Sequence, residues 1–328
     1  MSTSPKLSIV IPVYNEEDVL PQLFARLYPA MDALGASYEI LFVDDGSRDR
    51  SVFMLKEQFQ KRPHETRCVI LQTNFGQHAA ILAGFEQSRG EYVVTLDADL
   101  QNPPEEVGKL LHELESGSDY VGTYRADRHD VFWRRAASKI INGIREKITP
   151  IKMTDHGCML RGYARPVVNA ILSTRESVTF IPALAALYSA RPVEIEVAHE
   201  ERAAGVSKYS LRKLIRLNFD LMTGFSLVPL QIFSASGVLL AFVSAVLFVL
   251  LAVRRIVLGP EAEGLFTLFA LVFFLLGIIL FGIGLLGEYV GRIYVQVRER
   301  PRFLIATVLE DGRLPSTVTR RDPEEATR

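Results

Sequence analysis

The chain has 328 residues, 48% of them apolar and 23% charged, and a formal net charge of -1. That length holds one large domain or two ordinary ones, and the near-neutral balance leaves no electrostatic footprint for nucleic acid. Two cysteines, Cys68 and Cys158, with no CxxC pair, argue against a disulfide framework and a cysteine-held zinc site.

The N-terminus, "MSTSPKLSIVIPVYNEE", enters a strand-like run almost at once with no secretory leader, which predicts a cytosolic N-terminal region. "LSIVIPVY" reads as a strand and "EEDVLPQLFARLYPAMDAL" as a helix. "YEILFVDDGS" is a second strand and, after another helical stretch, "RCVILQT" is a third. "GQHAAILAGFEQS" then reads as a helix leading through Gly90 into a fourth strand, "EYVVTLDADL". Continuous Val, Ile and Leu strands separated by amphipathic helices predict a mostly parallel α/β sheet covered on both faces.

Ligands of such sheets bind beyond the carboxyl ends of the strands. Polar residues collect there: Tyr14, Asn15 and Glu16 after the first strand, Asp44, Asp45, Gly46 and Ser47 after the second, and Asp97, Asp99 and Gln101 after the fourth. Any one cluster could cap the next helix. Three acidic clusters on one edge point to a binding site. Neither GxGxxG nor a Walker-type loop is present, against a dinucleotide fold or a P-loop enzyme.

Side chains two apart on a strand share a face, so Asp97 and Asp99 are expected to converge, with Gln101 extending the alternation. Such oxygen ligands suit Mg²⁺ or Mn²⁺, which bind through one or two carboxylates plus substrate phosphates. A DxD alone is a weak signal. Cys158 reads as a buried small residue rather than a nucleophile.

Further along, residues 130–148 place Phe132, Trp133, Ala136, Ala137, Ile140, Ile141, Ile144 and Ile148 at helical spacing, with basic residues over much of the remainder. A basic amphipathic helix of this kind can lie in a membrane interface; an ordinary core-facing helix has the same pattern. Residues 207–225 form a second such stretch. Two uncharged runs follow, residues 232–253 and 265–286, each long enough to span a bilayer as a helix. Gly259 and Pro260 in the short connection predict an antiparallel pair. Lys208, Arg212, Lys213 and Arg216 precede the runs and Arg292, Arg298, Arg300 and Arg302 follow them. The connection holds only Arg254 and Arg255, beside Glu261 and Glu263. This bias places both termini in the cytoplasm. The expected organisation is a cytosolic part over 1–230, a transmembrane pair over 231–290 and a cytosolic tail over 291–328.

"IVIPVYNEE", "VDDGSRD", "NFGQHAAILAGF", "DADLQNPPEE" and "ERAAGVSKYS" occur in the order and approximate spacing of the family 2 glycosyltransferases, which the chain resembles up to about Phe303. More narrowly it is similar to the polyprenyl-phosphate glycosyltransferases, the group that includes dolichyl-phosphate mannose synthase. "ASKIIN", "GCMLRGYARP" and "LLGEYVGRIYVQVRERPR" resemble the branch of that group that handles 4-deoxy-4-formamido-L-arabinose. His156 departs from the pattern, which calls for an aromatic residue there.

The resemblance implies a GT-A nucleotide-diphospho-sugar transferase domain, followed by interfacial amphipathic helices and a two-helix transmembrane hairpin. It implies inverting transfer of the sugar from a UDP-sugar donor to undecaprenyl phosphate at the inner membrane of a bacterium, serving lipid A modification and polymyxin resistance. A polyprenyl-phosphate mannose or glucose synthase shares fold, metal and acceptor, and a non-catalytic sugar-nucleotide sensor is a third reading. Pro12, Tyr14, Glu16 and Asp45, with Asp44, would surround the uridine. Asp97, Asp99 and Gln101 would hold Mg²⁺ or Mn²⁺ against the diphosphate, Asp99 being counted as catalytic. Arg125, also counted as catalytic, would join Arg134, Ser138, Arg202 and Lys208 on the acceptor phosphate. Asp155 stands where the family has an acidic residue close to the sugar, either a positioning contact or a base. His78 has a helix-start, packing or donor-sugar role. The partners implied are the lipid bilayer and a homotetramer.

Overall fold

The computed structural model describes residues 4–125, 158–174, 180–200, 228–258, 265–298 and 300–312. The chain divides into two compact units: residues 1–138, 150–208 and 300–328 form the first, and residues 139–149 and 209–299 the second.

The first unit is built on an eight-stranded sheet. In chain order its elements are β1 (Leu7–Val13), α1 (Leu20–Asp32), β2 (Tyr38–Asp44), α2 (Ser51–Lys61), β3 (Thr66–Leu71), α3 (Gln77–Gln87), β4 (Tyr92–Thr95) and α4 (Val107–Glu115). These are followed by β5 (Tyr120–Arg125), β6 (Arg161–Ala164), α5 (Arg165–Ser173), α6 (Ile181–Tyr188), β7 (Pro192–Val197) and, after the second unit, β8 (Ile305–Leu309). The strand order is β7-β5-β6-β4-β1-β2-β3-β8. The centre β4-β1-β2-β3 is parallel, as the alternating strand and helix pattern predicts. The flanks make the sheet mixed, because β6 runs antiparallel to both β4 and β5, and β8 antiparallel to β3.

The central strands are apolar along their whole length because both faces are covered. Leu7, Ile9 and Ile11 of β1 pack with Leu20, Leu23 and Leu27 of α1, all fully buried. On the other face α3 lies close to β1 and β2, and a Cβ on Gly84 would collide with the Val10 side chain. Each such buried aliphatic side chain contributes about 1.5–3 kcal/mol, comparable to the backbone entropy lost in ordering it.

One end of the sheet is tied by ions rather than oil. Arg67 of β3 donates Nη1 to Glu39 Oε2 of β2 at 3.0 Å and Nη2 to Glu310 Oε2, just past β8, also at 3.0 Å. Glu39 further accepts from Ser8 Oγ at 2.6 Å and from the Arg89 backbone N–H at 2.6 Å. The sequence predicts a tail over residues 291–328. Ile305–Leu309 is instead an edge strand whose Val308 pairs with Val69.

The second unit contains α7 (Val228–Leu258) and α8 (Leu265–Val297). Phe233 of α7 lies against Phe281, ring centroids 5.9 Å apart, and over Gly282, where any Cβ would strike the ring. Phe274–Val297 is long and apolar enough to cross a membrane, and only 11% of its apolar window is buried, unlike a soluble core helix. The proposed interface helices over 130–148 and 207–225 lie outside the described residues.

Candidate functional site

The sheet opens at a switch point. Strand β1 has β2 on one side and β4 on the other. Pairing with β2 runs to Val13, whereas pairing with β4 stops at Val10, one residue before β4 leaves the sheet at Leu96. Leu96 donates to the Val10 carbonyl, so backbone groups of β1 at even positions face β4. Pro12 faces the same way and has no N–H to give, so the ladder ends there and a crevice begins. Crevices beyond the carboxyl ends of parallel strands are where α/β sheets bind ligands.

Four loops line this edge, after β1, β2, β3 and β4. In the first, Tyr14 is 43% exposed and Asn15 takes a positive φ of 55°. The Asn15 N–H donates to Ser47 Oγ at 3.0 Å, and Asn15 Oδ1 accepts from the Arg48 N–H at 2.8 Å. The Glu16 N–H donates to Ser51 Oγ at 2.9 Å. The loops after β1 and β2 are thus laced into one rim.

In the second loop the two aspartates divide their work. Asp45 spends both oxygens on the third loop, accepting from the Phe75 N–H at 2.7 Å and the Gly76 N–H at 2.8 Å. Asp44 Oδ2 accepts from the Gly46 and Ser47 N–H groups, both at 3.1 Å, while its Oδ1 is buried without a partner. Burial pushes both carboxyls above the usual carboxylate range, against the pull of those N–H donors. Gly46 has φ +70°, and a Cβ there would fall 2.5 Å from the Thr73 carbonyl carbon; no other residue fits.

The DxD stretch does not sit on a strand. Strand β4 ends at Thr95, Ala98 and Asp99 form a turn, and Leu100 has φ 59°. The alternation expected from a pleat therefore does not set the directions of Asp97, Asp99 and Gln101; turn geometry does. Asp97 Oδ1 accepts from Gln77 Nε2 at 2.7 Å, joining the loop to the start of α3. Asp99 is 8% exposed, and its Oδ1 accepts the Gln101 N–H at 3.1 Å, an Asx turn. The Gln101 carbonyl in turn accepts the Glu200 N–H at 2.9 Å. Among the described residues no three His, Cys, Asp or Glu side chains gather as a metal cluster. A Mg²⁺-type site needs only one or two carboxylates when a substrate diphosphate supplies further oxygens, and this donor set fits that case.

Arg125 is the last residue of β5. Arg134, Ser138, Asp155, His156, Arg202 and Lys208 lie outside the described residues. Cys158 is buried, as expected, with Sγ 2.8 Å from Thr123 Oγ1. His78 stands edge-on to Phe180, ring centroids 5.3 Å apart, with a buried Nδ1 that finds no partner. Burial, helped by the nearby Arg161 cation, lowers its pKa to about 4, so it is neutral at neutral pH. Arg161 itself is fully buried, donating Nε to the Cys158 carbonyl at 2.8 Å and Nη1 to the Tyr120 hydroxyl.

Sequence reasoning missed two residues at this edge. Gln77 had a signal, being the first helical residue after Gly76 at φ 95°. Arg26 had none, because its partners Glu105 and Glu200 are distant in sequence. A separate cleft of about 770 Å³ opens beside Lys6, Arg89 and Arg165. Those cations are committed to Glu115, Glu310 and the Gly90 carbonyl.

The family described as Glycosyl transferase family 2 matches residues 8–172, the stretch that carries all four rim loops. The chain belongs to that family. This glycosyltransferase is 49% identical over 305 residues to the undecaprenyl-phosphate 4-deoxy-4-formamido-L-arabinose transferase of Edwardsiella ictaluri (strain 93-146), covering 92% of this chain and 94% of that one. A relative of the same name from Proteus mirabilis (strain HI4320) is 49% identical over 306 residues, covering 93% and 94%. Among solved structures, glucosyl-3-phosphoglycerate synthase from Mycobacterium tuberculosis in complex with phosphoglyceric acid is 14% identical. That likeness covers 67% of this chain and 79% of that one, with a TM-score of 0.49. The mixed α/β sheet of this glycosyltransferase accords with the GT-A type that the sequence resemblance implies.

Proposed function

We propose that this glycosyltransferase moves 4-deoxy-4-formamido-L-arabinose from its UDP donor to undecaprenyl phosphate, with inversion, at the cytoplasmic face of a bacterial membrane. The product would serve lipid A modification and so polymyxin resistance. One observation carries the reading: relatives 46–49% identical over at least 92% of the chain are named undecaprenyl-phosphate 4-deoxy-4-formamido-L-arabinose transferase.

The chemistry asks little covalent work of the protein. A phosphate monoester has a second pKa of about 6, so the lipid phosphate is largely dianionic at neutral pH. One of its oxygens forms a bond to the anomeric carbon as the bond from that carbon to UDP breaks. Such a nucleophile hardly needs a general base, and Asp155 serves as a positioning contact to the sugar. Asp97, Asp99 and Gln101 would hold Mg²⁺ or Mn²⁺ at the diphosphate. A divalent cation there offsets the charge that develops on the leaving UDP.

Pro12, Tyr14, Glu16 and Asp44 would surround the uridine. The exposed Tyr14 ring offers a stacking face. Asp45 acts from behind, through the Phe75–Gly76 turn that it holds, rather than by touching the base. Arg125, Arg134, Ser138, Arg202 and Lys208 would receive the acceptor phosphate, for which guanidinium forks are suited. The basic stretches over 130–148 and 207–225 would rest at the headgroup level.

Chain connectivity supports two crossings. Strands β7 and β8 belong to one sheet, yet Phe274–Val297 lies between them in sequence. A chain that leaves a sheet and returns to it crosses a bilayer an even number of times. If α8 crosses, α7 supplies the other pass, and the flanking arginines favour a cytoplasmic sheet.

The test is incubation of purified protein with undecaprenyl phosphate, Mg²⁺ or Mn²⁺, and a panel of UDP sugars. Transfer of the formamido-arabinose alone supports the reading; transfer of glucose or of mannose from its own donor instead would overturn it.

A further inference from the structure

Residues 158–160, just before β6, close on both ends of the DxDxQ turn. Ahead of the turn, Thr95, the last residue of β4, donates its hydroxyl to the Met159 carbonyl at 2.6 Å. Behind it, Asn102, the residue after Gln101, accepts at Oδ1 from the Cys158 thiol at 3.3 Å. The segment is itself tied down from two more sides. Thr123 of β5 donates to the Leu160 carbonyl at 2.6 Å and stands 2.8 Å from Cys158 Sγ. Arg161 donates Nε to the Cys158 carbonyl at 2.8 Å. Thr95, Asn102, Thr123, Cys158 and Arg161 are each at most 2% exposed.

A buried polar group must be desolvated, and the loss of its partner leaves that penalty behind. Apolar side chains would pack these positions without that cost. A connected polar set instead specifies one arrangement of the backbone around it. That backbone is strained: Leu100, inside the turn, has φ 59° with its side chain buried in the core. A left-handed residue other than glycine persists only where its surroundings over-determine it, and such strain collects at ligand-holding segments. The Asx turn of Asp99 acts only within the turn, whereas the bonds at Thr95 and Asn102 fix its two ends.

We infer that Asn102 and Cys158 are positioning residues for the cation and diphosphate. Their hydrogen bond clamps the far end of the turn to a buried segment and so holds Asp97, Asp99 and Gln101 in one backbone conformation. Both are buried, so they act through the turn rather than by touching substrate. A Mg²⁺-type ion demands near-ideal geometry, so a turn that drifts slightly loses affinity for the ion before it loses its fold. The inference rests on the metal assignment proposed above and adds to it the device that sets the geometry of those ligands.

The experiment measures UDP binding with and without Mn²⁺ by calorimetry on the full-length enzyme in lipid nanodiscs, beside steady-state kinetics and the thermal midpoint. Asn102→Ala is expected to weaken UDP binding in the presence of Mn²⁺ about tenfold or more, as the loss of a buried hydrogen bond with an orphaned partner implies. UDP binding without a divalent cation, and the KM for undecaprenyl phosphate, should each change less than about twofold, below the size of a single hydrogen bond. Cys158→Ala should give the same Mn²⁺-dependent defect, and Cys158→Ser should rescue it because a hydroxyl still donates. The Asn102→Ala, Cys158→Ala double variant should be no worse than the worse single one. Binding lost equally with and without Mn²⁺, wild-type Mn²⁺-dependent binding despite a lower thermal midpoint, additive effects in the double variant, or Cys158→Ser as defective as Cys158→Ala would each overturn the inference. If the Asn102→Ala protein does not fold, Cys158→Ala and Cys158→Ser carry the test by the same criteria. Wild-type enzyme whose UDP binding ignores divalent cations would overturn the metal assignment itself, an outcome distinguishable because it needs no substitution.

Discussion

Gln77 Nε2 donates to Asp97 Oδ1 at 2.7 Å, so the first residue of α3 orients the first carboxylate of the DxD turn. This places a helix N-terminus, with its unpaired N–H groups and positive dipole end, beside the loop proposed to hold a cation and diphosphate. Asp99, two residues on, is held by its own turn and not by α3. Replacing Asp99 by Asn keeps the turn acceptor but removes the charge. Turnover with saturating donor should fall by roughly 100-fold or more, the size of a lost electrostatic contribution to a leaving group. Gln77→Ala should cost only several-fold. Near-normal activity of Asp99→Asn would remove the metal assignment for that residue.

Asp45 is predicted to matter for stability as much as for turnover. Asp45→Asn leaves one carbonyl oxygen where the Phe75 and Gly76 N–H groups now have one oxygen each. The lost or strained contact should destabilise the protein by about 1–3 kcal/mol, read as a lower thermal midpoint of the detergent-solubilised enzyme. An unchanged midpoint together with lost UDP binding would show Asp45 to be a direct ligand contact instead.

Much of the fold was legible in the sequence, for reasons specific to each element. Strands β1 and β2 carry long runs of Val, Ile, Leu and Phe that only two-sided burial explains, and the polar residues after them lie on the expected edge. The direction of Asp97 and Asp99 was not legible. Strand β4 stops at Thr95, and the positive φ at Leu100 gives no local sequence signal, because Leu is seldom found there. Strand β8 was not legible either. "IATVL" is short and follows a long apolar helix, and its partner β3 lies more than half the chain away. The same distance hid Arg26, whose pairing with Glu200 spans 174 residues.

The Arg67 network ties that late strand to the early sheet. Arg67, Glu39 and Glu310 have side chains only 6%, 5% and 9% exposed, so removing the cation strips the buried Glu39 carboxylate of its counter-charge and leaves Glu310 to Arg89. Arg67→Ala should cost about 3–5 kcal/mol in chemical denaturation. It should also release β8 to protease in the otherwise folded enzyme. Wild-type protection of residues 305–309 in this variant would show the ion network to be dispensable for docking the strand.

The two proposed crossings make a topological prediction. A cysteine placed at Glu261, in the connection between α7 and α8, should react in intact cells with a maleimide that cannot cross the inner membrane. A cysteine placed at Asp311, just past β8, should react only after the membrane is opened. Labelling of both from outside, or of neither, would contradict the two-pass arrangement.

The most direct measurement of the central claim is mass spectrometry of the lipid product, with UDP release counted in the same reaction. Undecaprenyl phosphate and UDP-4-deoxy-4-formamido-L-arabinose should yield one lipid-linked formamido-arabinose for each UDP released. UDP release without a lipid-linked sugar, or a lipid carrying only glucose or mannose from a mixed donor pool, would contradict it.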